Sequence, residues 1–291
     1  MSLLVRDAIQ MARNQLERNG VMDAETDTEL IFRYMMNVDK LGFFRLWGTS
    51  LDDDVSEKFL DLISVRAGGK PLQYITGEQE FMGFTFAVNP DVLIPRQDTE
   101  TLVSDVVSMI NGRGKKHLSV LDLGCGSGAI GISIAKLCEN ASVSASDKSG
   151  AAIETARKNA RLLSADKVKF FEGDLFAPFK GRFKQEKFDI IVSNPPYIRS
   201  GDIPALQREI RNHEPICALD GGADGLNFYR LIIPDAVLHL KKGGVLVLEI
   251  GRDQTGAVLE IAADSGGYGD FRIVKDLAGN DRVVVLMAGG S

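Results

Sequence analysis

Four consecutive residues, Asn194-Pro195-Pro196-Tyr197, carry the chemistry most open to a direct reading. Two prolines in a row fix φ and remove both N–H donors, which leaves carbonyl oxygens as the polar groups of the stretch. The Asn194 side-chain oxygen adds another acceptor, and two fixed acceptors can hold the two hydrogens of a planar –NH2 group. Tyr197 offers an aromatic face to a flat substrate. This cradle suits a poor nucleophile, an amide or amino nitrogen whose lone pair is delocalised. Bonding both hydrogens favours a pyramidal nitrogen and aims its lone pair at an electrophile, so that catalysis rests on orientation and electrostatics rather than on a strong base. The bland alternative for the same residues is a rigid turn that ends a strand.

A second constellation lies upstream, at Leu121-Asp122-Leu123-Gly124-Cys125-Gly126-Ser127-Gly128. Glycines at 124, 126 and 128 let the backbone turn sharply and approach a ligand closely, and a following helix points N–H groups at the same crevice. Gly126, Gly128 and Gly131 also satisfy the dinucleotide fingerprint, so a nicotinamide enzyme is an open reading of the loop. Asp147 follows about 20 residues later, where a carboxylate accepts ribose hydroxyl protons in both dinucleotide and adenosyl cofactor sites. Asp174 is a candidate acceptor for an adenine amino group, with Leu175 and Phe176 as candidate packing partners for the ring. Cys125, held in the glycine loop, is given no catalytic role. Arg96 reads either as a substrate contact or as an anchor, and Glu249 as a support of the site or a structural acid. His117, His213 and His239 show no metal or triad spacing.

The elements that must position these residues follow from periodicity. Residues 1–72 read as a helical bundle without strands. Val5, Ala8, Ile9, Ala12 and Leu16 recur at helical spacing, a second helix starts near Asp23, and a short third segment holds Phe43, Phe44 and Trp47. A fourth helix starts near Asp54, a candidate N-cap. Residues 73–97 read as a β-hairpin connector around Met82-Gly83. Residues 98–291 form the third region, where Asp98 is a candidate cap for a helix over Leu102 to Ile110, and a polar loop follows at 111–116. From Ser119 onward strands and helices alternate, with Phe188 to Ser193 a buried strand that delivers Asn194. Repeated βα units imply a doubly wound, mostly parallel sheet. The glycine loop and Asn194 then both fall in the crevice at the strand ends where open α/β sheets bind ligands.

Composition bounds the function. Hydrophobic residues make up 44% and charged residues 25% of the 291, enough apolar material for a true core. A formal net charge of −6 argues against a protein that lives on bare nucleic acid. The three cysteines are widely spaced and odd in number, which predicts neither a zinc site nor a disulfide framework. The N-terminus lacks a signal-peptide core and no stretch approaches a membrane span, so the expectation is a soluble, cytoplasmic protein.

The glycine loop, Asp147, Asp174 and Asn194 to Tyr197 together resemble the class I methyltransferases that modify planar exocyclic nitrogens. More specifically, the chain resembles the peptide chain release factor glutamine methyltransferase family (HemK-type). The likeness spans nearly the whole chain and includes Gln73 to Glu78, Val92 to Arg96, Glu214-Pro215, Asp224 to Leu226 and Leu248 to Gly251. It implies a Rossmann-like seven-stranded sheet with a small all-α N-terminal domain that grips a protein substrate. It implies methyl transfer from S-adenosylmethionine, leaving S-adenosylhomocysteine and needing no metal, to the glutamine of a Gly-Gly-Gln motif in release factors. By motif match, Gly124, Cys125, Gly126, Ser127, Gly128, Asp147, Asp174, Leu175 and Asn194 hold the cofactor, and Asn194, Pro195, Pro196 and Tyr197 hold the glutamine. Leu175 stands where family members can carry a larger aromatic residue, and Phe176 is the neighbouring ring that can take up that packing. No stable nucleic acid and no membrane partner are expected. Three alternatives remain: an adenine amino methyltransferase on DNA or RNA, a dinucleotide-dependent oxidoreductase that leaves Asn194 to Tyr197 idle, and a non-catalytic protein that kept the cofactor fold.

Overall fold

The computed structural model describes residues 3–114, 116–181 and 187–289, so Lys115 of the polar loop expected at 111–116 lies outside them. The chain opens with strand β1 (Leu3–Leu4), helices α1 (Val5–Arg18), α2 (Ala24–Met36) and α3 (Lys40–Leu46), strand β2 (Ser50–Leu51), and helices α4 (Asp53–Ala67) and α5 (Leu72–Thr76). These helices bury one stripe each: Val5, Ala8, Ala12 and Leu16 of α1 meet Ile31 and Phe32 of α2 and Phe59 and Ile63 of α4. Phe32 stands edge-on to both Phe43 and Phe59, with ring centroids 5.6 and 5.3 Å away. Two expectations need correction here. The bundle is not free of strands, since β1 and β2 pair antiparallel through Leu3 with Leu51 and Leu4 with Ser50. Asp54 is not the cap of α4: Asp52 stands at the N-cap without a side-chain bond, and Asp54 sits in the first turn, where its charge favours the helix dipole.

Strands β3 (Glu78–Phe81) and β4 (Phe84–Ala87) flank Met82-Gly83, whose positive φ values of 52° and 75° make the tight hairpin turn. Next come α6 (Thr99–Gly112), β5 (Leu118–Leu123), α7 (Ala129–Leu137), β6 (Ala141–Asp147), α8 (Gly150–Leu162), β7 (Lys169–Glu172) and β8 (Phe188–Ser193). The chain ends through α9 (Arg208–His213), α10 (Asn227–His239), β9 (Leu240–Glu249), α11 (Thr255–Ser265), β10 (Tyr268–Lys275) and β11 (Asp281–Ala288). Asp98 does not cap α6 through its side chain; its carboxylate pairs with Arg282 at 3.0 Å instead.

Seven strands form one sheet in the order β10-β11-β9-β8-β5-β6-β7, all parallel except β11, which runs antiparallel to both its neighbours. Alternate strand residues face opposite layers. Val120, Ile190, Val192, Val247 and Val285 pack with Leu102, Val106, Ile130 and Ile153 from α6, α7 and α8. Leu121, Ile191, Leu246, Leu248 and Val284 pack with Tyr229, Ile232 and Val258 from α10 and α11. Both faces are covered, which is why the strands read as nearly continuous apolar runs.

The chain divides into two compact units, Met1–Glu78 with Leu206–His213, and Gln79–Ala205 with Glu214–Ser291. The first unit is therefore discontinuous. Within it Arg66, almost buried, donates to Asp27 at 2.6 Å and pairs with Glu209 of α9 at 2.7 Å, and the Arg208 side chain lies over Gly69. Among the described residues no helix is long and apolar enough to cross a membrane.

Candidate active site

The sheet order places the site. From β5 the chain moves outward through β6 and β7, then returns to β8 on the other side of β5, so the switch point lies between β5 and β8. In register, Leu123 faces Ser146 on one side and Ser193 on the other, and Ser193 faces Leu248. The next residue of each strand, Gly124, Asp147, Asn194 and Glu249, therefore stands along one rim of the sheet.

At the β5 end the loop is wound tightly, with φ of 69°, 54° and 81° at Gly124, Gly126 and Gly128. The Gly124 and Cys125 N–H groups donate to the Ser146 carbonyl at 2.8 and 3.0 Å, and Gly126 N–H donates to Asp147 Oδ2 at 2.9 Å. A Cβ at Gly124 or Gly126 would meet nothing within 4 Å, whereas one at Gly128 would strike Ile132 Cδ1 at 2.8 Å. The first two glycines thus leave an open cradle, and the third seats the loop on α7 and α8. Asp147 Oδ1 accepts from Ser149 N–H at 2.9 Å, and an ionised carboxylate with one bond on each oxygen keeps acceptor capacity on both. Burial keeps the Cys125 thiol well above its ordinary range, so it stays protonated and contributes only its backbone to the loop.

Asp174 lies on the same side but is exposed and pairs with Lys148 at 3.4 Å, a solvent-screened contact of little strength. Leu175, half-buried, adopts a positive φ of 46°. Phe176 does not face the cradle as expected: it is 1% exposed and stacks on His239 with centroids 4.7 Å apart, in the core. Only Leu175 of that pair remains available to a ring in the cradle.

At the β8 end Asn194, Pro196 and Tyr197 are half-buried and Pro195 is buried. Asn194 Nδ2 donates to Thr99 Oγ1 at 3.2 Å, which ties the motif to the first turn of α6. The Tyr197 carbonyl accepts from Gln254 Nε2 at 3.0 Å and its hydroxyl donates to Glu249 Oε1 at 3.3 Å. The Tyr197 carbonyl is therefore engaged internally, so the acceptors left for a ligand are Asn194 Oδ1 and the carbonyls before it. Burial and the Glu249 charge push the Tyr197 hydroxyl up, and it stays neutral. Glu249 is 1% exposed; burial pushes it up to about 7 against the nearby Thr99 hydroxyl, the charge of Arg282 and the hydrogen bond from Tyr197. Arg96 pairs with the buried Glu214 at 2.5 Å, so it anchors the segment before α6.

Two residues were not singled out by sequence. Asp122, fully buried before the glycine loop, accepts from Gly131 N–H at 2.9 Å through Oδ2, while its other oxygen has no hydrogen-bond partner among the described residues. Burial pushes it up to about 7. Asn159 of α8 bonds both backbone groups of Ala87 in β4, at 2.7 and 2.9 Å, and donates to the Ser127 carbonyl at 2.9 Å. It clips the hairpin to the glycine loop. The available signal was a polar residue inside the apolar stripe of Ala152, Ala156 and Ala160.

The chain is similar to known methyltransferases. A family model described as a methyltransferase domain matches residues 114–262, and one described as the PrmC N-terminal domain matches residues 7–77. The chain is 40% identical over 280 residues to a release factor glutamine methyltransferase of Geobacter sulfurreducens, covering 96% of this chain and 95% of that one. It is 39% identical over 281 residues to the protein of the same name from Moorella thermoacetica, covering 96% and 97%. Among solved structures, a 16S rRNA methyltransferase of T. thermophilus in complex with AdoMet and guanosine is similar at 20% identity and a TM-score of 0.52, over 74% of this chain and 50% of that one; that likeness is one of fold.

Proposed function

The chain belongs to the release factor glutamine methyltransferase family, and from that membership we propose how its rim carries out the reaction. The protein transfers a methyl group from S-adenosylmethionine to the side-chain amide nitrogen of a glutamine in peptide chain release factors. The observation that carries the reading of the site is the strand register. It sets an open glycine cradle after Leu123 beside an acceptor cradle after Ser193, so that two ligands meet at one rim.

The residues present fit the cofactor. Gly124 and Gly126 leave room for a ligand against the backbone, Asp147 retains acceptor capacity for ribose hydroxyls, and Leu175 offers an apolar surface beside the cradle. The bound cofactor supplies a methyl group on a positively charged sulfur, which leaves as a neutral thioether. The chain's own residues bind and orient the glutamine. Asn194 Oδ1 and a backbone carbonyl of the 194–196 stretch accept the two amide hydrogens, and Tyr197 flanks the flat amide. When the nitrogen forms its new bond to carbon it becomes cationic and strongly acidic, so it sheds one proton to water without a dedicated base. Glu249 is not that base, since it is buried beneath Tyr197 and occupied by it.

The glutamine we assign is that of a Gly-Gly-Gln motif, whose glycines let the loop approach the rim closely. The N-terminal bundle grips the body of the release factor, and the reaction takes place in the cytoplasm. Purified protein incubated with labelled S-adenosylmethionine and release factor, followed by peptide mapping, tests the assignment. Label on that glutamine is the expected result, and label elsewhere, or none, would overturn it.

A further inference from the structure

We propose that Gln254 is a positioning residue for methyl transfer: its side-chain amide latches the Tyr197 end of the acceptor cradle to two turns packed against it, and so fixes where residues 194–197 hold the target glutamine. The inference rests on the reading of Asn194 to Tyr197 as the glutamine site, and it names what holds that site still.

The motif does not hold itself. Proline fixes φ and leaves ψ free, so Pro195 and Pro196 alone do not set where their carbonyls point. One end of the motif is anchored by the sheet, since Ser193 is in register with both Leu123 and Leu248. Beyond the other end Ile198 makes an isolated parallel bridge with Asp220. Ile198 N–H donates to the Leu219 carbonyl at 3.0 Å, and Gly221 N–H donates to the Ile198 carbonyl at 2.8 Å. Between strand and bridge, the Tyr197 carbonyl accepts from Gln254 Nε2 at 3.0 Å.

Gln254 occupies the N-cap position of α11, where Ser, Thr, Asp and Asn are favoured because their short side chains reach the first helical N–H groups. Its side chain makes no capping bond. It is 4% exposed and serves three backbone groups outside the helix instead. Nε2 donates to the carbonyls of Tyr197 and Gly225 at 3.0 and 3.2 Å, and Oε1 accepts from Gly251 N–H at 2.9 Å. A carbonyl only accepts and a backbone N–H only donates, so these partners fix which way round the amide lies. The two turns, closed by Gly225 N–H on the Gly222 carbonyl and by Gln254 N–H on the Gly251 carbonyl, press close to it. A Cβ at Gly225, whose φ is 77°, would overlap the Tyr197 carbonyl oxygen and stand 2.6 Å from Gln254 Nε2. One at Gly251 would stand 2.8 Å from Gln254 Oε1. The glycine loop is bonded to Ser146, Asp147 and Asn159, so the latch bears on the substrate side of the rim and not on the cofactor side. Without it the Tyr197 and Gly225 carbonyls lose a donor, and the segment that carries the cradle relaxes towards others. A nitrogen held off line by about 1 Å loses up to about 100-fold in rate.

The test is single-turnover methylation of release factor by the full-length protein, with cofactor and release factor each titrated to saturation. Gln254→Met keeps the length of the side chain and removes both hydrogen-bonding ends. Gln254→Glu keeps the acceptor for Gly251 and sets an oxygen against the two carbonyls. Each should lower the rate constant at saturation by about tenfold or more, while cofactor affinity and the half-saturating release factor concentration stay within about twofold. Ile110→Ala is the control for stability alone. It truncates a buried side chain at the far end of α6 from Thr99, about 16 Å along the helix. It should lower the urea midpoint and leave the rate constant within about twofold of wild type. The inference is overturned by a wild-type rate in either folded Gln254 variant, by a raised half-saturating concentration with an unchanged rate constant, by an equal loss of cofactor affinity, or by a loss of rate that Ile110→Ala reproduces. Loss of the fold in both Gln254 variants would make the residue structural and overturn it as well. Asn194→Ala measured beside them separates the two readings. A wild-type rate there sinks the glutamine site itself, whereas a slow Asn194→Ala beside fast Gln254 variants sinks the latch alone.

Discussion

The two ends of the rim are built in different ways. The glycine cradle is braced by nearby residues: Gly126 leans on Asp147, 21 residues away, Gly124 and Cys125 on Ser146, and the Ser127 carbonyl on Asn159, 32 residues away. The acceptor cradle is braced from afar. Asn194 reaches Thr99 across 95 residues, and Tyr197 reaches Glu249 and Gln254 across 52 and 57. A cofactor can be held by backbone geometry, which a short glycine-rich stretch encodes by itself. Aiming a lone pair needs side chains held in one rotamer and one polarity, and those constraints come from elements that meet only after folding.

That contrast can be broken experimentally. The largest effect is expected at Asn194. Asn194→Ala should lower single-turnover methylation by about 100-fold or more, the scale of losing one preorganised polar group, with cofactor affinity nearly unchanged. Circular dichroism should show a native fold; near-wild-type chemistry would reduce Asn194-Pro195-Pro196-Tyr197 to a structural turn.

Asp147→Ala is the reciprocal change. It should cost about 1.5 to 3 kcal/mol of S-adenosylmethionine affinity by calorimetry, since a charge-assisted acceptor is lost and Gly126 N–H loses its partner. Once cofactor is saturating, the rate of the chemical step should be close to wild type. Equal affinity in a folded variant would remove Asp147 from the cofactor site.

Asn159→Leu probes the hairpin clip. It strands the backbone groups of Ala87 and the Ser127 carbonyl, so denaturant unfolding should show a loss of about 1 to 3 kcal/mol. Cofactor affinity should fall with it, because the clip holds the glycine loop. A stability loss with full affinity would mean that the loop holds its shape without the hairpin.

The smallest effect is a change of slope at Asp122. Its folded carboxyl is raised to about 7 from an ordinary 3.8, so the folded state keeps its proton while the unfolded chain has lost it. Stability from this group is therefore undiminished below the ordinary value and falls as pH rises towards 7, by at most about 1.4 kcal/mol per pH unit. Asp122→Asn retains an acceptor for Gly131 and has no such titration. Its urea midpoint should vary less than wild type's between pH 5 and 7, and identical slopes would contradict a proton held at Asp122.

Much of the site was legible because its two centres are short and local. Gly124 to Gly128 and Asn194 to Tyr197 each follow a buried apolar strand, and strand-ending motifs in βα repeats fall on one rim whatever the detail of packing. Phe176 was read towards the cradle because neighbouring residues alternate only on average; in the structure it turns inward to stack on His239. Asp98 looked like a cap by type and position, but the Arg282 charge outcompetes its own helix. The stretch at 206–213 carries no composition change to mark it, and its place in the first unit shows in the pairing of Glu209 with Arg66 and in the Arg208 side chain over Gly69. A truncation near residue 73 would therefore remove the packing partners of α9 as well as the proposed recognition surface, and surface substitutions in α1 to α4 are the cleaner probe of release factor binding.

By itself the sequence determined the class of fold and marked the two strand-end motifs that we propose hold cofactor and substrate. Those follow from hydrophobic period, glycine placement and the donor and acceptor inventory of adjacent residues, all of which are properties of nearby positions. The tertiary structure alone decided that Glu249 and Thr99 stand beneath the motif, that Asn159 ties the hairpin to the glycine loop, and that α9 belongs with the first unit. The physical reason is that one hydrogen-bonding group among many similar ones is selected by burial and register, and both exist only when distant strands have paired.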